Sequence, residues 1–193
     1  MQHQNDSAAY YLEQRVRLDS TNTEWLDEYA DFLEEYLAQY NKALEYYQQS
    51  LAIKKQVYGE SHPEVALSYN NIGYVYDSQG DYARALEYYQ QSFAIWKQVY
   101  GEYHPYVATS YSNIGCIYNA QGDYVRALEY HQQSLAIKQQ VFGELHPDVA
   151  LSYNNIGLVY DALGNYAQAL EYYQQSLALW KQVYGDFHPN IAI

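Results

Sequence analysis

The chain has 193 residues, of which 49% are hydrophobic and 17% charged, and its formal net charge at pH 7 is −13. This balance excludes a disordered chain, and the negative charge argues against DNA, RNA or an anionic membrane as the main partner. No apolar run approaches the roughly 18 residues that cross a bilayer, and the polar N-terminus lacks a secretory signal. The single cysteine, Cys116, excludes an internal disulfide and suits the cytoplasmic location that we predict.

Residues 1–42 differ from the rest of the chain. Residues 7–18 have the pattern of a lone helix, and the stretch EWLDEYADFLEEYLAQY, which begins at Glu24, has the apolar spacing of a second helix. We interpret residues 1–42 as an N-terminal cap, or as a degenerate first copy of the repeat described below. Through residue 45 the chain has 10 acidic and 3 basic side chains, so −7 of the net charge of −13 lies there.

Six acidic side chains of the second helix share one face of a helical wheel. Like charges one turn apart destabilise a helix by about 0.2–0.5 kcal/mol per pair, and we expect no lysine to relieve them. Two interpretations stay open: a solvated outer face, or a docking face for a basic partner. The six residues are Glu24, Asp27, Glu28, Asp31, Glu34 and Glu35.

From residue 43 to residue 193 the chain repeats with a period of 42 residues. The stretch ALEYYQQSLAIKKQVYGESHP at Ala43 returns in close copies at Ala85, Ala127 and Ala169. A last copy is cut short at HPNIAI. Such a period is typical of repeat architectures, in which each unit buries its apolar face against its neighbours.

Each unit is predicted to form two helices, and the second unit illustrates the pattern. Residues 63–78 form the first helix, with Pro63 at its first position, and residues 82–100 form the second, which ends at a glycine. The histidine before each proline is the expected N-cap (His62, His104, His146 and His188). Gly73 lies on the buried stripe of the first helix, which predicts a close approach by another helix.

The slots Tyr69, Ile72, Gly73 and Tyr76 in the first helix, with Ala85, Tyr89 and Ser92 in the second, resemble the tetratricopeptide repeat. The 42-residue period with its GE-x-HP-x-VA linker resembles the kinesin-light-chain type and related bacterial arrays. This resemblance implies an all-α fold: a right-handed superhelical solenoid of antiparallel helix pairs whose first helices line a concave groove. Such grooves usually bind peptides or partner proteins.

A second stripe runs beside the buried stripe of each first helix, and the resemblance implies that it faces the groove. In that family, an asparagine on the stripe can bond the backbone of a bound peptide. We expect Asn70 and Asn154 to do so, whereas Asn71, Asn113 and Asn155 should contact neighbouring helices. The candidate groove residues are Leu67, Asn70, Tyr74, Asp77, Thr109, Ser112, Cys116, Asn119, Leu151, Asn154, Leu158 and Asp161.

The sequence contains no enzyme motif that we recognise, and we predict no catalytic activity, no cofactor and no metal site. His131 replaces a core tyrosine, and we interpret it as a hydrogen-bonded core histidine. We interpret Cys116 as a small apolar filler. Trp96 and Trp180 share a slot with Lys54 and Lys138, so we expect this slot at the edge of an interface, although an exposed aromatic docking patch is the alternative.

Our prediction is therefore a scaffold that binds a protein or peptide, with neither nucleic acid nor membrane as a partner. Two alternatives remain: the sensor or assembly region of a larger signalling or effector protein, or a natural or designed structural array without a dedicated ligand. The terminal unit of a solenoid exposes a face that inner units bury. We therefore also expect end-to-end self-association through Leu177, Trp180 and Tyr184.

Overall fold

The structure is a computed structural model that describes residues 2–185, with side chains from residue 7 onward. Within this range the chain is all-α. It divides into two compact units, residues 1–95 and residues 96–193. The helices are α1 (Gln2–Leu18), α2 (Thr23–Glu35), α3 (Tyr40–Tyr58), α4 (Pro63–Ser78), α5 (Tyr82–Tyr100), α6 (Pro105–Ala120), α7 (Tyr124–Phe142), α8 (Pro147–Ala162) and α9 (Tyr166–Tyr184).

As predicted, the His–Pro pairs begin the first helices and glycines end the second helices. At the start of α4, His62 Nδ1 accepts a hydrogen bond from the Glu64 N–H at 3.2 Å, and Pro63 occupies the first helical turn. Gly101 ends α5 at a φ of 81°, in the left-handed region that favours glycine. The predicted bounds of α4 and α5 are therefore confirmed. The prediction for His188 lies outside the described residues.

In the first unit, the predicted close approach at Gly73 is confirmed. A Cβ atom at Gly73 would lie 2.9 Å from the Tyr89 ring, closer than ordinary van der Waals contact. Ile72 beside it is fully buried. The glycine therefore lets the second helix of the pair pack directly against the backbone of the first.

In the second unit, α6 packs against α7, α7 against α8, and α8 against α9. Gly115 lies under the His131 ring, and Gly157 lies under the Tyr173 ring. His131 is buried as predicted, but its Nδ1 has no hydrogen-bond partner among the described atoms. Nδ1 therefore does not supply the predicted hydrogen bond, and the backbone of Gly115 lies against the ring at that position.

Three of the four side chains in the slot shared by tryptophan and lysine are buried, so the predicted position at an interface edge is wrong for them, whereas Trp180 is half-buried. Trp96 is 2% exposed, Lys54 3% and Lys138 6%. Lysine is tolerated there because its ammonium donates a hydrogen bond to a serine hydroxyl of the following first helix. Lys54 Nζ lies 3.1 Å from Ser68 Oγ, and Lys138 Nζ lies 3.2 Å from the Oγ of Ser152.

The turn of the first pair, between α2 and α3, closes with a backbone hydrogen bond like that of later pairs but is one residue longer. Gln39 N–H donates to the Leu33 carbonyl at 2.8 Å, as Asp81 N–H donates to the Tyr76 carbonyl at 2.9 Å. Ala38 has a φ of 49° in the position that Gly80 occupies in the next pair. The buried residues set the register between α2 and α4: Leu26, Tyr29, Ala30 and Leu33 have the spacing of Tyr69, Ile72, Gly73 and Tyr76, so Leu33 corresponds to Tyr76.

Candidate functional site: the outward stripe of the first helices

The predicted groove stripe of α4 is partly open to solvent. Leu67 and Tyr74 are exposed, and Asn70 and Asp77 are half-buried. Burial raises the pKa of the Asp77 carboxyl. The stripe therefore combines accessible apolar side chains with a carboxyl group that is partly withdrawn from water.

The acidic face of α2 continues this stripe, which the sequence analysis missed. The register that aligns Leu33 with Tyr76 aligns Glu34 with Asp77. The same offset aligns the remaining members: Glu24, Asp27 and Asp31 with Leu67, Asn70 and Tyr74. Matching the apolar spacing of Leu26, Tyr29, Ala30 and Leu33 to that of Tyr69, Ile72, Gly73 and Tyr76 would have revealed this correspondence.

Contacts within the first unit join the two stripes. Ser78 Oγ donates to Glu34 Oε1 at 3.3 Å. The negative charge of Glu34 is the main cause of the raised pKa of Tyr74. Glu34 of α2 and Tyr74 of α4 are therefore close enough to act on one ligand.

Basic side chains relieve part of the repulsion on α2, so the expectation that no lysine does so is wrong. Lys54 Nζ lies 2.7 Å from Asp27 Oδ2, and Arg15 Nη1 lies 2.6 Å from the carboxylate of Glu28. These partners come from α3 and α1, so they are distant from α2 in sequence. Glu24 and Glu35 are exposed.

Two carboxyl groups of α2 are shifted toward the protonated form. Burial is the main cause of the raised pKa of Asp31, and the charges of Asp27, Glu35 and Glu28 add to it, although the Tyr47 hydroxyl donates to Asp31. Burial is also the main cause of the raised pKa of Glu34. An added positive charge would stabilise the ionised form of both groups.

In the second unit, most of the predicted stripe is accessible. Thr109, Cys116, Leu151, Leu158 and Asp161 are exposed, and Asn119 and Asn154 are half-buried. The interpretation of Cys116 as an apolar filler is therefore wrong, because its side chain lies on the open stripe rather than between helices. Cys116 is exposed and forms no disulfide.

Ser112 is the exception on the stripe. It is 8% exposed, and its Oγ lies 3.5 Å from Asn155 Nδ2, at the outer limit of hydrogen-bond distance. A neighbouring first helix therefore covers Ser112, which cannot receive a ligand as predicted. The same contact confirms that Asn155 faces a neighbouring helix.

The side chains of the described residues offer little for metal chemistry or membrane insertion. Among residues 7–185 there is no group of three or more His, Cys, Asp or Glu residues that could hold a metal ion. None of the helices described in residues 2–185 combines the length and the apolar character of a membrane span. What the described stripe presents is a set of apolar, amide and carboxyl groups suited to non-covalent binding.

Stacked helix pairs with an accessible polar and apolar stripe define a protein-interaction scaffold of the helical-repeat class. The tetratricopeptide repeat model matches residues 22–97, 78–140, 117–182 and 148–193. These matches cover most of the chain, so it belongs to the tetratricopeptide repeat family. The resemblance inferred from the sequence is thereby confirmed.

Three solved structures are similar to this chain. BtubC (BKLC) from P. vanneervenii is 28% identical with a TM-score of 0.75, and the match covers 87% of this chain and 66% of that one. A putative kinesin light chain of Podosopora anserina with nearly identical TPR-like repeats is 24% identical with a TM-score of 0.76, covering 95% and 90%. Aspartyl phosphate phosphatase F from Bacillus subtilis is 19% identical with a TM-score of 0.73, covering 86% and 41%. No curated protein matches the chain.

Proposed function

We propose that the chain binds a segment of a partner protein along the outward stripe of its first helices. The observation that carries this proposal is the exposure of large apolar side chains on that stripe. Leu67 and Tyr74 are exposed in the first unit, and Leu151 and Leu158 in the second. Water-accessible apolar groups beside half-buried amides are typical of ligand-binding surfaces.

The energetics assign different roles to the apolar and amide groups. A hydrogen bond from Asn70 or Asn154 to a peptide backbone contributes about 0.5–1.5 kcal/mol net. A micromolar complex requires about 8 kcal/mol. The apolar side chains must therefore supply most of the binding free energy, and the amides orient the peptide.

The first unit favours a basic residue in the bound segment. Asp31, Glu34 and Asp77 are carboxyl groups whose pKa values are raised, mainly by burial. A lysine or arginine placed beside them would lower these pKa values and gain affinity as the pH rises through them. In this proposal the acidic face of α2 is part of the peptide site and docks a basic residue of the partner.

Peptides selected from a random library on the wild-type chain would test this proposal. We expect the double change Leu67→Asp with Tyr74→Ala to weaken their binding by about tenfold or more. Val57→Asp is the matched control, because Val57 is an exposed apolar residue of α3 that lies off the stripe. Equal loss in both variants, or no loss in either, would contradict the proposal.

A second candidate function is that of a binding region within a larger signalling or effector protein. The chain spans 66% of the BtubC chain and 41% of the phosphatase chain that it matches. In that case the stripe would recruit or position a target for chemistry performed elsewhere. The length of the parent gene distinguishes this candidate from a free-standing scaffold, and the cytoplasmic location stays a prediction.

A further inference from the structure

The last described helix pair carries an apolar cleft of about 550 Å³. Leu158 and Leu170 in its wall are exposed. No helix among residues 2–185 covers this cleft. Its lining comes mostly from α9 and consists of Asn154, Leu158, Leu170, Tyr173, Gln174 and Leu177.

The preceding pair, α6 and α7, shows what fits such a face, since its slots lie 42 residues earlier in the repeat. There, α8 covers the face. Leu135, in the slot of Leu177, packs against the buried cluster that contains Val149. Ser112, in the slot of Asn154, contacts Asn155 of α8. The repeat thus supplies its own example of a helix seated on this surface.

The contacts of α8 define the pattern that a helix needs in order to fit. Val149 belongs to the buried cluster against which Leu135 packs, the Ser152 hydroxyl lies 3.2 Å from Lys138 Nζ, and Asn155 lies over Ser112. These α8 residues are three apart and so follow one face of the helix. The fitting pattern is an aliphatic residue, a small residue and an amide at successive positions along that face.

The exposed cleft differs from the covered one in its charge. Asp161 stands where the preceding pair has Asn119. The Tyr173 phenol in the cleft has a raised pKa, chiefly from burial and then from the charge of Asp161. The carboxylate of Asp161 therefore acts on the cleft, and it favours an occupant with a basic residue at that end.

We propose that this cleft binds an amphipathic helix of a partner protein. One face of that helix carries the same aliphatic, small and amide residues as α8, followed by a basic residue that lies opposite Asp161. A second copy of this chain is a poorer occupant, because two chains that each carry a net charge of −13 repel one another. The site goes beyond the proposed function. The cleft shares Asn154 and Leu158 with the stripe, but the stripe takes a segment along the first helices, whereas the other four of the six lining residues of the cleft lie on α9.

The probe is a peptide with the sequence of α8, residues 147–162, carrying Ala162→Lys. In the covered face, Asn155 of α8 lies over Ser112, so position 162, seven residues later, lies opposite Asn119. In the cleft, Asp161 occupies the slot of Asn119, so Lys at position 162 of the probe should lie opposite Asp161. A short isolated helix is marginal in water, so the probe carries a covalent staple between positions 151 and 158. Both of these positions are exposed in α8.

Fluorescence anisotropy of the labelled probe with the full chain measures binding. We expect Leu170→Asp to weaken it by about tenfold or more, because a carboxylate would be buried under the peptide. Leu163→Asp should leave it unchanged: Leu163 is 47% exposed, close to the 57% of Leu170, but does not line the cleft. Asp161→Asn should weaken the lysine probe more than a probe with the natural Ala162.

Several results would overturn the proposal. One is an absence of binding at about 1 mM probe, and another is equal binding by Leu170→Asp and wild type. Light scattering that finds a dimer dissolved by Leu170→Asp would make a second copy the occupant. Binding that appears only after deletion of residues 186–193 would make the chain's own segment the occupant. Leu67→Asp with Tyr74→Ala should leave probe binding intact, so that failure of the stripe proposal and failure of this one are distinguishable.

Discussion

Lys54 and Asp27 form an ion pair inside the first unit, with Nζ 2.7 Å from Oδ2 and the lysine side chain almost wholly buried. Lys138 occupies the same slot in a later repeat, where its described hydrogen bond goes to the neutral Ser152 hydroxyl. Burial lowers the pKa of Lys138, and the charge of Asp148 opposes this shift. One slot therefore holds a paired ammonium in one repeat and an ammonium without a described carboxylate at bonding distance in another.

The two lysines should respond differently to replacement by an apolar side chain. We expect Lys54→Met to lower the free energy of unfolding by about 3 kcal/mol, because it leaves Asp27 partly buried without its partner. Lys138→Met should be neutral or stabilising, since it removes a desolvated charge and keeps the apolar stem. Urea unfolding of both variants is the measurement. A loss in Lys138→Met as large as that in Lys54→Met would contradict this account, and adding Asp27→Leu to Lys54→Met should recover most of the loss.

Buried His131 should make the second unit sensitive to acid. Burial, with a smaller effect of Lys138, lowers its pKa to about 4 from the ordinary histidine value of 6.5. The unfolded chain therefore binds the proton first, so the stability is fully present above pH 6.5 and is lost as the pH falls toward 4. The largest loss is about 3 kcal/mol.

His131→Phe removes this titration and keeps a ring in the slot that Tyr89 and Tyr173 fill in other repeats. We expect the stability difference between the variant and wild type to grow in favour of the variant between pH 6.5 and pH 4. Thermal melts across this range measure it. Parallel pH profiles for the two proteins would show that the imidazole does not resist protonation.

Among the residues that the structure describes, Ala38 is the non-glycine residue with a positive φ, which is 49°. A left-handed conformation costs an L-residue roughly 1–2 kcal/mol, and glycine would relieve this strain. Glycine also has more conformational entropy in the unfolded chain, which offsets about 0.5–1 kcal/mol of the gain in stability. We therefore expect Ala38→Gly to raise the free energy of unfolding by up to about 1 kcal/mol. Ala83→Gly, at an exposed position inside α5, is the control and should lower it.

The two asparagines of the doublet at 154 and 155 should separate binding from stability. Both replacements by alanine gain the same helix propensity, so the difference between them isolates the contacts. We expect Asn155→Ala to be less stable than Asn154→Ala by about 0.5–1 kcal/mol, because only Asn155 is described in contact with Ser112. Asn154→Ala should instead weaken peptide binding. The reverse pattern would show that their roles are exchanged.

Local signals in the sequence predicted the repeat closely. Pro63 begins α4 and Gly101 ends α5 through the conformation of their own backbone, so the sequence alone predicts where these helices begin and end. The buried slot of Lys54 was missed because its partner, Asp27, comes from another helix whose register the sequence pattern did not fix. The covered position of Ser112 was missed for the same reason, since it depends on how one first helix lies over another.

The most direct test of the binding surface uses Cys116, the single cysteine of the chain, which is exposed on the stripe of α6. The alkylation rate of its thiol by iodoacetamide is measured with and without a saturating library-selected peptide. Occupation of the stripe should slow the reaction by about tenfold or more, because the bound segment excludes water and reagent from the thiol. A peptide that saturates the chain and leaves the alkylation rate unchanged would show that it binds away from the stripe of α6.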